Sequence, residues 1–188
     1  LFFQSPQSFL YELDYEGKMQ VQYSDFYDFP VVFVNLFLPV SPPVEEEASF
    51  YKKIEKRIYE VKAKLGSCRE RIIIALNTQD TIRISALNEM LRSLNLKDSA
   101  KGFCRNPESC VTYTKENPLV EKFYGYTEPS RLDYLFVSEE TKVSLSLRDF
   151  DTYQELSKPL KEKYSLKSLS ISDHYGWQAV IKLPPCGG

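Results

Sequence analysis

His174 is the only imidazole in the 188 residues; Ser172 and Asp173 precede it, and a β-type run over residues 178–183 follows. An acid and an imidazole together at a strand edge can take up and return a proton near neutral pH. The same two residues can equally serve as a structural pair that anchors the last strand. Their meaning therefore depends on what the rest of the chain brings to them. Polar residues also interrupt or close three apolar runs: Asn35 within 31–38, Asn77 and Thr78 after 71–76, and Arg131 with Asp133 in 131–137. An amide such as Asn77 can orient a phosphate or a water, or it can close a turn. Arg131 and Asp133 read as an ion pair or polar anchor at a sheet end, and Tyr134, Phe136 and Trp177 read as core aromatics.

The elements that must position these residues alternate. Residues 19–23 alternate apolar and polar, as in a strand with one face covered, and 25–30 connect it to 31–38, a β-branched apolar run expected as a central strand buried on both faces. Three glutamates, Glu45 to Glu47, suit the positive end of a helix expected over 48–64. There Phe50, Ile54, Ile58, Val61 and Leu65 recur near the helical period, and Gly66 and Ser67 stop it. A second apolar strand is expected over 71–76, and a helix over 84–94 with Ile84, Leu87, Leu91 and Leu94 on one stripe. The stretch 102–125 shows little periodicity and reads as a long functional rim or mobile cover. Strands are expected over 131–137 and 143–148, and the charged stretch 158–167 is expected on the surface before the last strand. Strand, helix, strand, helix implies a layered α/β fold.

The whole chain sets bounds. Its length fits one domain able to bury a core. A formal net charge of −2 provides no broad positive field for a polyanion, so nucleic acid is an unlikely partner. The four cysteines, Cys68, Cys104, Cys110 and Cys186, lack the spacing of a metal site; they read as free thiols or, for Cys104 and Cys110, a loop staple if the compartment is oxidising. The longest apolar run, 30–40, is interrupted by Asn35 and Pro39 and is too short to span a bilayer. Residues 1–4 fit neither a signal nor a transit peptide, so a fragment, a processed product or a missing start is expected. An intracellular protein is favoured, with membrane association as a further option.

Four stretches in order, Asn35-Leu36-Phe37-Leu38, Ala75-Leu76-Asn77-Thr78, Arg131-Leu132-Asp133-Tyr134 and Ser172-Asp173-His174, resemble the C-terminal two-thirds of the endonuclease/exonuclease/phosphatase superfamily, the DNase I-like fold. The neutral sphingomyelinase branch looks closest, with Asn-Thr-His-Leu, Gly-Asp-Leu-Asn, Arg-Ile-Asp-Tyr and Ser-Asp-His at these places. The resemblance implies a four-layer α/β sandwich with mixed sheets. Residues 1–30 would be a partial N-terminal segment, 31–183 the endonuclease/exonuclease/phosphatase-like domain and 184–188 a tail. It also implies Mg²⁺-dependent phosphodiester chemistry. Asn77 would position phosphate or water, His174 would act as base or electrostatic stabiliser, and Asp173 would orient His174 or touch the metal.

The departures from the pattern bear on activity. Ala75 stands where the family has the Asp of its second motif, Ile74 where it has the Gly, and Phe37 where it has a second catalytic His. The family's metal-binding Glu would lie upstream of residue 1. Each lost acid–base group removes roughly two to four orders of magnitude in rate. The expectation is thus a catalytically degenerate member acting as a binding or scaffold module, with a protein partner or larger assembly. The alternative is an active Mg²⁺-dependent phosphodiesterase cleaving a phospholipid headgroup ester, with Asp80 as the nearest replacement acid. A nuclease is disfavoured by the charge.

Overall fold

The structure, a computed structural model, describes residues 8–12, 18–26, 29–38, 43–68, 71–78, 84–104, 110–117, 120–121, 128–148, 162–163 and 174–186. Its eight described strands are β1 (Ser8–Glu12), β2 (Lys18–Phe26), β3 (Phe29–Leu38), β4 (Ile72–Thr78), β5 (Leu96–Asp98), β6 (Asp133–Ser138), β7 (Lys142–Arg148) and β8 (Gly176–Lys182), with helices α1 (Val44–Lys62) and α2 (Ile84–Ser93). Six strands form one sheet in the order β1-β2-β3-β4-β6-β5, and β7 and β8 form a second. Only β3 and β4 run parallel, joined by α1 as a crossover; the other neighbours are antiparallel. This is the mixed sheet that the strand and helix alternation implied.

Period-two alternation divides the large sheet into two chemically different faces. Val32, Val34, Leu36, Ile72, Ile74, Leu76 and Phe136 face the helices and are buried with Phe50, Ile54, Ile58 and Val61 of α1 and Leu87, Met90, Leu91 and Leu94 of α2. The opposite face contributes Val31, Ile73 and Val137, against which Val143 of β7 and Ile181 of β8 pack. Helices, large sheet and small sheet are three of the expected four layers. The chain passes from the first sheet to the second through the turn between β6 and β7, where the Thr141 N–H donates to the Ser138 carbonyl at 2.9 Å.

Several expectations are corrected. β3, expected to be buried on both faces, is sealed along the helix face but only in part on the other, where Val31 is buried and Asn35 is exposed. α1 begins at Val44, so the three glutamates occupy its first turn, where the helix dipole favours them. Its end is a 3₁₀ turn over Ala63–Cys68 in which Gly66 has φ 55°, a left-handed conformation that glycine adopts without strain. Residues 96–98, expected to close the preceding unit, form the edge strand β5. The stretch 158–167 lies outside the described residues except for 162–163.

The cysteines are also corrected. Cys68 and Cys186, expected as free thiols, form a disulfide with Cα atoms 4.3 Å apart across 118 residues. Cys104 and Cys110 form the loop staple, at 5.5 Å between Cα atoms. Pro184 and Cys186, expected within a tail, are fastened: Arg71 Nε donates to the Pro184 carbonyl at 2.9 Å, and the disulfide holds the next turn of chain. Among the described residues, no helix is long and apolar enough to cross a membrane.

Candidate functional site

The site forms where the ends of β4 and β6 meet the start of β8. Residue by residue, the register sets three polar and apolar rows across the face away from the helices. Phe37 pairs with Asn77 and Asn77 with Asp133; Asn35 pairs with Ala75 and Ala75 with Leu135; Phe33 pairs with Ile73 and Ile73 with Val137. The polar residues Asn77, Asp133 and Asn35 thus fall in the first two rows, and the third is wholly apolar.

Asp133 is the hub of the first row. Its Oδ1 accepts a 2.6 Å hydrogen bond from Asn77 Nδ2, and its Oδ2 lies 2.7 Å from His174 Nδ1. An ionised carboxylate only accepts, so the shared hydrogen sits on Nδ1. The Asn77 amide nitrogen stands 3.4 Å from the same Nδ1. Both atoms are then donors, and both donate into Asp133. The Asp133 carbonyl further accepts the Trp177 indole N–H at 3.1 Å, which ties β6 to β8. His174 and Asp133 are 17% and 22% exposed, shielded enough to strengthen the pair yet reachable by a ligand.

Residues 110–117, within the stretch expected as a functional rim or mobile cover, build the wall behind this pair. Thr112 is fully buried. Its Oγ1 accepts from the Leu132 N–H at 2.9 Å and the Asp133 N–H at 3.2 Å, and its carbonyl accepts from the Tyr175 N–H at 2.7 Å. One threonine therefore fixes the strand end that carries Asp133 and the residue after His174. The Tyr113 ring lies against the imidazole, centroids 5.2 Å apart. The Cys104–Cys110 bridge anchors the same segment.

Arg131 and Asp133, expected as an ion pair or polar anchor at a sheet end, are anchored there through separate partners. The Arg131 guanidinium grips Asp98 of β5 with two bonds of 2.6 and 2.8 Å; its Nε donates only to the Asp133 backbone carbonyl, at 3.3 Å. This leaves the Asp133 carboxylate for His174. The guanidinium also lies 4.3 Å from the Tyr134 ring centre, and the Tyr134 hydroxyl donates to the Arg131 carbonyl at 2.9 Å. Burial raises the Tyr134 pKa above its usual value; Arg131 opposes the rise, and Asp98 and Asp133 add to it.

Of the residues singled out from the sequence, Asn77 and His174 converge, and Phe37 and Ala75 fall in the first and second rows beside them. Asp173 and Asp80 lie outside the described residues. The described carboxylate that meets His174 is Asp133, which was expected to support the fold. Only the register that sets it opposite Asn77 reveals the role. Trp177, expected in the core, is half-buried at the site and bonded to it.

The donors also bear on magnesium. Mg²⁺ takes an octahedron of oxygens, whereas both Asp133 oxygens are already engaged by nitrogen donors. Among the described residues no three His, Cys, Asp or Glu side chains cluster as a metal site. Asp173, the oxygen donor that the resemblance implies for the ion, lies outside the described residues. The chemistry of the described donors is that of a carboxylate holding one imidazole nitrogen, Nδ1.

Behind the first row lies a cavity of about 600 Å³ between the two sheets, lined by Asn77, Asp133 and Trp177 at one end and by Ile73, Ile181 and Leu183 at the other.

The fold recurs in solved structures. A truncated TDP2 from Caenorhabditis elegans superposes with a TM-score of 0.61 at 13% identity, over 93% of this chain and 64% of that one. The fold is that of the endonuclease/exonuclease/phosphatase superfamily. A protein of that superfamily from Bacteroides vulgatus matches with a TM-score of 0.56 at 15% identity, over 93% of this chain and 58% of its own. A mannosyl-6-phosphatase from Bacteroides thetaiotaomicron matches at 0.55 and 14%, over 89% and 57%. The chain thus spans less than two-thirds of these endonuclease/exonuclease/phosphatase-fold structures. No protein-family model and no curated protein matches the sequence.

Proposed function

We propose that this chain is a catalytically degenerate, sphingomyelinase-like member of the endonuclease/exonuclease/phosphatase fold that acts as a binding or scaffold module, within a larger assembly. The observation that carries this reading is Ala75. It sits one row from Asn77 and Asp133, where the resemblance calls for an Asp, and its side chain is a methyl facing the cavity. A methyl neither orients a water nor takes a proton. Phe37, in register with Asn77, likewise replaces an imidazole with a phenyl ring. Fold is shared across many chemistries, so the altered site weighs more than the likeness.

The two disulfides support work in an oxidising compartment rather than the intracellular one favoured from composition. Calorimetric titration with Mg²⁺ tests the reading: no stoichiometric heat is expected for the chain, and tight one-to-one binding would overturn it.

A second reading, an active Mg²⁺-dependent phosphodiesterase acting on a phospholipid headgroup ester, draws on one observation, the intact Asn77–Asp133–His174 cluster. It requires Asp173 and an acid in place of Ala75 to complete the site.

A further inference from the structure

The cavity between the sheets owes its existence to small side chains. Ala75 occupies the middle row of the large sheet, and Ala179 of β8 lines the same space. Larger residues bound it from both sheets: Phe33, Ile73 and Leu135 on the large one, Ile181 of β8 and Leu183 just after β8 on the other. At about 600 Å³ it lies within the size range of pockets that hold small organic ligands. Such a space, mostly apolar with a few convergent polar groups at one end, has the composition of a ligand site rather than of a packing defect.

Charge narrows the ligand. No lysine or arginine lines the cavity among the described residues. Its one ionisable lining group besides Tyr134 is Asp133, whose two oxygens already accept from Asn77 and His174. A phosphate or carboxylate carried into this space would lose its hydration with no cation to replace it. A hydroxyl or amide can recover its lost hydration, because the amides of Asn35 and Asn77 line the space and can exchange hydrogen bonds with it.

We infer that the cavity binds an uncharged amphiphile, an alkyl or acyl chain bearing one hydroxyl or amide group, with the chain along the Ile73, Leu135 and Ile181 wall and the polar group toward Asn77. This deepens the binding-module reading and rests on it. The substitution that removes the acid would also have converted a charged catalytic floor into an apolar one.

Trp177 is the only tryptophan in the chain and lines this cavity, so its emission reports occupancy. The experiment titrates the full chain with n-decanol and, separately, with decanoate, exciting the indole selectively. A saturable shift with n-decanol is expected, with decanoate at least about tenfold weaker. Ala75→Phe, which fills the middle of the space, is expected to weaken n-decanol at least about tenfold; Ala179→Leu serves the same end from β8 should the first variant not fold. The inference is overturned by the absence of a saturable shift, by equal affinity for decanoate, or by unchanged affinity in a folded cavity-filled variant. A phosphodiester hydrolysis assay run beside it separates the two claims. Turnover together with n-decanol binding would remove the degenerate reading and leave the ligand site; neither turnover nor binding would do the reverse.

Discussion

Asp133, at the start of β6, and His174, two residues before β8, meet at 2.7 Å, with Asp133 also accepting from Asn77 on the neighbouring strand. The imidazole is thus held by the first residue of β6. Replacing Asp133 by Asn is expected to release it. Because His174 is the only histidine, nitrogen NMR reads its tautomer without assignment. The Nδ1–H form should dominate in the parent chain and lose that dominance in Asp133→Asn, with stability lower by about 1–3 kcal/mol.

Thr112 is expected to matter although it touches no candidate ligand. Thr112→Val keeps the shape and removes the acceptor for the Leu132 and Asp133 N–H groups. Two amides at a buried turn would then lack this partner, at a cost of about 1–3 kcal/mol. Hydrogen exchange at the Asp133 amide should accelerate, and unchanged exchange would contradict the positioning role.

The Cys68–Cys186 bridge closes 118 residues. A loop of that length constrains the unfolded chain strongly, so the double substitution Cys68→Ala with Cys186→Ala is expected to lower stability by about 3–5 kcal/mol. Denaturant unfolding with and without reductant checks it; the variant should show no further loss from this bridge on reduction.

Alkaline pH should destabilise the fold through its tyrosines. Burial, then the Glu47 and Tyr134 charges, push the Tyr51 hydroxyl well above its ordinary value of 10.0, and Tyr134 is raised for related reasons. A group whose pKa is raised on folding favours the folded state fully below its unfolded pKa. That contribution is lost as pH rises past 10 toward the folded value. Unfolding free energy should therefore fall above pH 10, and Tyr51→Phe should flatten the decline.

Much of the scaffold was legible because it repeats. Phe50, Ile54, Ile58 and Val61 announce one face of α1, and the apolar runs around Val34 and Ile74 announce central strands. What repetition does not encode was missed. β5 is three residues long, too short for a period. Cys68 and Cys186 are brought together by the fold across 118 residues, a separation no spacing rule reads. In the candidate site, Asn77 and His174 stood out by type, whereas Asp133 looked like a partner for the adjacent Arg131. Its true neighbour was set by strand register, and Arg131 was drawn away by Asp98.

The most direct measurement is Mg²⁺-supported hydrolysis of para-nitrophenyl phosphorylcholine and bis(para-nitrophenyl) phosphate by the parent chain beside its His174→Ala variant. The degenerate reading predicts the same background rate from both proteins. Turnover by the parent that His174→Ala abolishes would contradict it, and would mean that residues other than Ala75 and Phe37 supply the acid–base groups of a working phosphodiesterase.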